Sequence, residues 1–282
     1  MVRLFVTRIR KERTMVRILN VEEARQRHQK AIAIMSTGKH GKSTMAMTAL
    51  GGLLIGCADD SHDSYTVHPN AKNIEKIYVL ETWGDGLTFL EAARAKKAGT
   101  VIVDPVSIYG FRLFLELMEG RKEDDAQARM HAYGTMTNRI LQLLNTMRSL
   151  PVHFVGTFHI DSQDASFLLS RAERLAFEQA HGDAFLMVGD KLRKWAPAFF
   201  DMVGVVERKV MGNNLVYKFR TVPKANDEPV GHKYGPNVFL REEEPFIPDL
   251  IRKMLVAQGY KKLGTPDGVG IPTPDEGNKE GK

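Results

Sequence analysis

Residues 31–44 read AIAIMSTGKHGKST, and the reading of this stretch decides the fold. Five apolar residues run into a glycine-bearing turn, and the turn ends on Gly41-Lys42-Ser43. That order fits a phosphate-binding loop, which needs a buried strand, a turn that aims successive backbone N–H groups at phosphate oxygens, and a helix whose N-terminus adds its dipole. It also needs a lysine for the outer phosphates of a nucleotide and a hydroxyl for Mg²⁺, here Lys42 and Ser43. The usual pattern G-x-x-x-x-G-K-[ST] places glycine at position 36, where this chain has Ser36. Serine is small, and Gly38 two residues later can adopt the positive φ the turn requires. The expected cradle for ATP is therefore Ser36, Thr37, Gly38, Lys39, His40, Gly41, Lys42, Ser43 and Thr44, with Ser43 on the metal.

Outward from this loop, residues 31–35, 74–80, 100–103 and 152–157 are apolar, β-branched runs bounded by polar or glycine-rich stretches, as buried parallel strands are. Helical periods lie between them at residues 45–54 and 87–98, and Ile140, Leu141, Leu144 and Met147 form one apolar stripe. The longest apolar run, residues 45–58, falls short of a membrane span and reads as a buried helix. Strands alternating with helices predict an α/β fold with a parallel sheet. After Phe199 the pattern becomes two alternating strands joined through Gly-Asn-Asn, a hairpin expected to close one edge. The expected organisation is a basic arm over residues 1–15, an ATPase domain over 16–260 and a Gly/Pro/charge-rich, disordered tail over 261–282.

A nucleotide-hydrolysing site also needs a carboxylate at a strand end to hold the magnesium shell, and TVIVDPVS, residues 100–107, supplies Asp104. Residue 105 is proline where many ATPases carry the water-activating glutamate, so the base must come from elsewhere. KIYVLETWGDG, residues 76–86, delivers Glu81 at a strand end, with Asp85 as the alternative. HFVGTFHID, residues 153–161, ends its strand at His159, an uncharged hydrogen-bonding side chain suited to sensing a γ-phosphate. Trp83 is read as packing, or as a ring that stacks on a base beside Glu81. His62 and His68 bracket an Asp-rich loop without the framework a zinc site requires.

The 282 residues carry 43% hydrophobic and 26% charged side chains, in the range of a soluble globular chain. The formal charge of +6 has a definite location, because residues 1–30 hold nine Lys/Arg against three Asp/Glu. The basic feature is thus an N-terminal arm, either solvated or in contact with nucleic acid. A single cysteine, Cys57, excludes an internal disulfide, and no secretory signal is evident, so a reducing cytoplasm is the expected setting.

Six stretches taken together resemble a known family: STGKHGKST (36–44), VLETWGDG (79–86), VIVDPVSI (101–108), NRILQLLNTMRSLPVHFVGTFH (138–159), KLRKWAPAFFDMVGVVE (191–207) and YKFRTVPKANDEPVGHKYG (217–235). Their order resembles the phage-encoded RecA-core ATP-binding proteins, including the Sak-type single-strand annealing proteins, over roughly residues 16–245. The resemblance implies a RecA-like P-loop core with Lys42 and Ser43 on ATP and Mg²⁺, Asp104 in the magnesium shell, Glu81 on the hydrolytic water and His159 as γ-phosphate sensor. It also implies self-association into a ring or filament, in which a basic residue of a neighbouring subunit, Lys233 or Lys224, completes the site. The expected partner is single-stranded DNA, together with a single-strand-binding or recombination protein, and no membrane. DNA would lie near Arg121, Lys122 and Arg129, and near Arg171, Arg174, Lys191, Arg193 and Lys194. The expected function is annealing or recombination driven by ATP in the host-cell cytoplasm. The alternative is a nucleotide-gated assembly or loading protein with slow or no hydrolysis. A kinase or GTPase is disfavoured, since no Asn-Lys-x-Asp guanine reader is present.

Overall fold

The computed structural model describes residues 29–36, 41–59, 62–122, 125–160, 192, 195–212, 214–224, 229–235 and 237–260. Thr37, Gly38, Lys39 and His40, the N-terminal arm, the C-terminal tail and the cluster from Arg171 to Lys194 lie outside the described residues.

Six strands run parallel in the order β3 (Ile74–Val79), β2 (Leu53–Cys57), β4 (Thr100–Asp104), β5 (His153–His159), β1 (Ala31–Ser36) and β6 (Met202–Met211). β7 (Asn214–Arg220) returns antiparallel to β6 through the expected hairpin, and the two-residue strands β8 (Gly231–His232) and β9 (Glu242–Glu243) pair with β6 and β7. The result is the mostly parallel, helix-flanked α/β architecture read from the sequence. Alternation along β1 shows how the chain fills both faces. Ala31, Ala33 and Met35 pack with α3 (Trp83–Ala95), α4 (Val106–Met118) and α5 (Ala126–Ser149), while Ile32 and Ile34 pack with α1 (Lys42–Ala46) and α6 (Ile247–Ala257). α2 (His62–Thr66) adds Tyr65 to this second face. No described helix is long and apolar enough to cross a membrane.

Two expectations need correction. The helix expected over residues 45–58 ends after Ala46, and Leu53–Cys57 forms the fully buried strand β2. The last turn tightens after Met47, and Gly51, in the left-handed region at φ +71°, turns the chain toward β2; a Cβ there would sit 2.8 Å from the Gly99 Cα. The backbone can pass this point only without a side chain, which lets the five apolar residues that follow enter the sheet. The strand at residues 74–80 is an edge strand among the described residues, with Glu75, Lys76 and Val79 exposed, because no further described strand covers β3. Neither α4 nor α6 was expected. Phe111 and Leu115 on α4 remain at least half exposed, so its apolar residues do not form one clean stripe.

The end of the sheet opposite the loop is tied by Asp201. Its carboxylate accepts the Ala31 N–H at 2.9 Å and takes a two-pronged bond from the Arg148 guanidinium at 2.6 and 2.8 Å. Removing one partner of such a buried pair strands the other charge and an amide, at a cost of about 3–5 kcal/mol. Asp201→Ala is therefore expected to lower unfolding free energy by about 3 kcal/mol in urea titration. A change under about 1 kcal/mol would mean that the pair is not structural.

Candidate functional site

Parallel strands deliver their last residues to one edge, and the register brings Ser36 beside His159, and Cys57 beside Asp104. Over this edge opens a cleft of about 590 Å³, whose lining includes Gly41, Lys42, Ser43, Thr44, Asp59, Asp104 and His159. The volume lies within the usual range for small-molecule sites. The described part of the loop begins at Gly41, which adopts φ +85°, and α1 starts at the next residue. A methyl group on Gly41 would meet the Tyr217 ring at 3.5 Å, so the hairpin closes the loop from one side.

Lys42 is 6% exposed, and its ammonium donates to the Ser36 carbonyl at 3.4 Å. Burial holds its pKa below the usual lysine value, against the pull of Asp104 and Asp59. A buried cation lining a cleft is poised for an anionic ligand. Asp104, 1% exposed, accepts hydroxyl hydrogens from Tyr65 at one oxygen and from Thr157 at the other. These two bonds fix the carboxylate plane. Burial, reinforced by the Asp104 charge, raises the Tyr65 phenol well above its ordinary value, so it stays a donor. Burial also pushes the Cys57 thiol up to about 11, which makes it a poor nucleophile.

His159 lines the cleft, and burial followed by the nearby Lys42 ammonium keep its imidazole below the ordinary histidine pKa, hence neutral. Its Nδ1 lies 3.2 Å from the Ser107 hydroxyl, which also accepts the His159 backbone N–H at 3.1 Å.

The expected base, Glu81, does not line the cleft. It follows the edge strand β3, two strands beyond β4, and its 66% exposed side chain pairs with Arg112 at 3.2 Å. Asp85 is a helix cap: its carboxylate accepts the Thr82 N–H at 2.8 Å, while the Thr82 hydroxyl accepts the Asp85 N–H at 3.2 Å. Trp83 packs under the Arg139 guanidinium at 5.4 Å and lines no part of the cleft. Besides Asp104, the cleft is lined by the carboxylate of Asp59, two residues past β2. Its signal in the sequence is CADD, residues 57–60, directly after an apolar run whose pattern also suits a helix. Tyr217, Val206 and Pro245 form an apolar wall that sequence reasoning also missed.

Lys233 sits at the far end of the sheet, its ammonium 3.3 Å from the Ala198 carbonyl and 3.9 Å from Asp201. Lys224 pairs with Glu207 at 3.2 Å. Neither lines the cleft of its own chain. Arg121, Lys122 and Arg129 are exposed.

No family model and no curated protein matches this chain. Among solved structures it is similar to the assembled ATPase EscN of the enteropathogenic E. coli type III secretion system, at 10% identity and a TM-score of 0.40, over 64% of this chain and 43% of that one. A second similar structure is a prototypical ATPase from the type III secretion system of pathogenic bacteria, at 12% identity and a TM-score of 0.40, over 63% and 52%. The chain thus spans about half the length of the structures it matches. At this level the likeness adds nothing to what topology and site residues say.

Proposed function

We propose that this chain is a RecA-like P-loop ATPase that binds single-stranded DNA and couples ATP binding and turnover to annealing or recombination. The observation that carries the ATPase reading is the convergence of Lys42, Ser43, Asp104, Asp59 and His159 on one cleft at the carboxyl edge of a parallel sheet, where such folds bind ligands. Lys42 takes the outer phosphates. Ser43 and Asp104 are the hard oxygen donors that suit Mg²⁺, and the bonds from Tyr65 and Thr157 pre-orient Asp104 for its hydration shell. When bound, the ion draws charge from the β- and γ-phosphate oxygens. Asp59 takes the role expected of Glu81 and orients the attacking water. His159 offers the terminal phosphate a neutral hydrogen-bonding group. Lys224 and Lys233 act, if at all, on the cleft of a neighbouring copy, and exposed Arg121, Lys122 and Arg129 track the DNA backbone.

The hairpin side of the cleft, beside Gly41, suits a base. Tyr217 and Pro245 give a flat apolar wall, and base–aromatic stacking contributes about 1–3 kcal/mol. Tyr217→Ala is expected to weaken ATP binding about tenfold in calorimetry and to leave inorganic tripolyphosphate binding unchanged. Equal losses for both ligands would move the base elsewhere.

Phosphate release from ATP, followed with and without single-stranded DNA at low and moderate salt, tests the function. Release that rises with DNA, more so at low salt, supports the annealing reading. ATP binding with DNA-indifferent turnover favours instead the nucleotide-gated assembly or loading protein.

A further inference from the structure

Ser107 is the second residue of α4 and 4% exposed, and the role proposed for the cleft does not use it. Its hydroxyl has one hydrogen and two lone pairs. One lone pair takes the backbone N–H of His159 at 3.1 Å, and Nδ1 of the same residue lies 3.2 Å away. If Nδ1 carried a hydrogen, both His159 donors would point at the Ser107 oxygen, and the hydroxyl hydrogen would have no acceptor among the described residues. A buried donor left unmade is costly. If Nδ1 is bare, the hydroxyl donates to it and the buried Ser107 is satisfied, while the remaining donor belongs to His159, which lines the open cleft where water or a ligand can accept it. The imidazole hydrogen then sits on Nε2, the ring nitrogen that Ser107 does not hold.

We infer that Ser107 is a positioning residue that locks His159 in the Nε2–H tautomer, making it a hydrogen-bond donor to the terminal phosphate of a bound nucleoside triphosphate. The inference rests on the ATP-site reading for its ligand, but the tautomer itself does not. A neutral donor suits an anionic oxygen, whereas the opposite tautomer would present a lone pair and repel it. Burial and the adjacent Lys42 ammonium, which disfavour a second proton on the ring, act in the same direction. A hydrogen bond to a charged group carries about ten- to a hundredfold in affinity. Loss of the lock should thus fall on ATP rather than on ADP, which lacks the terminal phosphate.

The test is ¹⁵N NMR of the histidine ring nitrogens in the full chain, with the His159 signals assigned by their loss in His159→Gln. The expected wild-type spectrum has Nε2 protonated and Nδ1 bare. Ser107→Ala should mix or reverse the tautomers, and Ser107→Thr, which keeps the hydroxyl, should restore them. On the same samples, Ser107→Ala should lose about tenfold in ATP affinity with ADP affinity unchanged, and Ser107→Thr should recover it. A protonated Nδ1 in the wild type, or an Ser107→Ala spectrum identical to wild type, overturns the inference. The expected tautomers with ATP and ADP bound equally in every variant overturn the phosphate-donor role. The expected tautomers with no nucleotide binding at all overturn the ATP-site reading beneath it.

Discussion

Lys42→Ala is expected to weaken Mg²⁺-ATP binding by at least a hundredfold in titration calorimetry while the protein stays folded. The lysine is buried among Ser36, Asp104 and Asp59 at the start of α1, so its ammonium is committed to the cleft and cannot turn to solvent. Charge-assisted bonds to phosphate oxygens are worth about 1.5–3 kcal/mol each, and two of them exceed the 2.8 kcal/mol or so that corresponds to a hundredfold. Burial of its ammonium costs the empty protein stability, a cost that the pull of Asp104 and Asp59 offsets only in part. Its folded pKa is lowered by burial, so the unfolded chain holds that proton more tightly, and stability rises with pH through the window just below the ordinary lysine value. At neutral pH the charge is a net cost to the fold. A cooperative melt of the variant without ligand separates loss of ligand from loss of structure. A variant that binds ATP as the wild type does would remove Lys42 from the site.

What the sequence made legible was contiguous. The strand before the loop, the Gly41-Lys42-Ser43 end of the loop, Asp104 and His159 each sit in a run of a few residues whose pattern carries its own structural context. The hairpin was equally legible, since its alternation and its Gly-Asn-Asn turn are local. Less legible were features that depend on which strands are neighbours. Glu81 ends a strand as Asp104 does, but β3 lies at the rim of the sheet and holds its carboxylate beyond the cleft. Asp59 was hidden because residues 45–58 form one apolar run, and short apolar segments do not declare themselves as helix or strand. Gly51, pressed against Gly99, marks where the chain turns into β2 rather than where the helix stops. Tyr65, Thr157, Ser107 and Tyr217 reach the site from four separate elements. Their partners are 39, 53, 52 and well over 100 residues away in the chain, and no local pattern announces such meetings.

The relocation of the carboxylate leads to the second large effect. Asp59→Asn is expected to reduce ATP turnover by about 10²–10⁴-fold, the usual contribution of a positioned general base, with ATP affinity held within about threefold. The substitution is isosteric and Lys42 is left in place, so the phosphate contacts persist while the attacking water loses its acceptor. Glu81→Gln is expected to leave turnover within about twofold, because it breaks only an exposed ion pair with Arg112, a contact worth little in water.

The most direct test of the proposed hydrolytic centre is a single comparison: phosphate release from Mg²⁺-ATP by the wild type, Asp59→Asn and Glu81→Gln, each at saturating ATP. The cleft between Lys42, Asp104 and Asp59 predicts release by the wild type and by Glu81→Gln, and its near-complete loss in Asp59→Asn. Release that survives in Asp59→Asn and vanishes in Glu81→Gln would contradict it, as would a wild type that binds ATP and releases no phosphate.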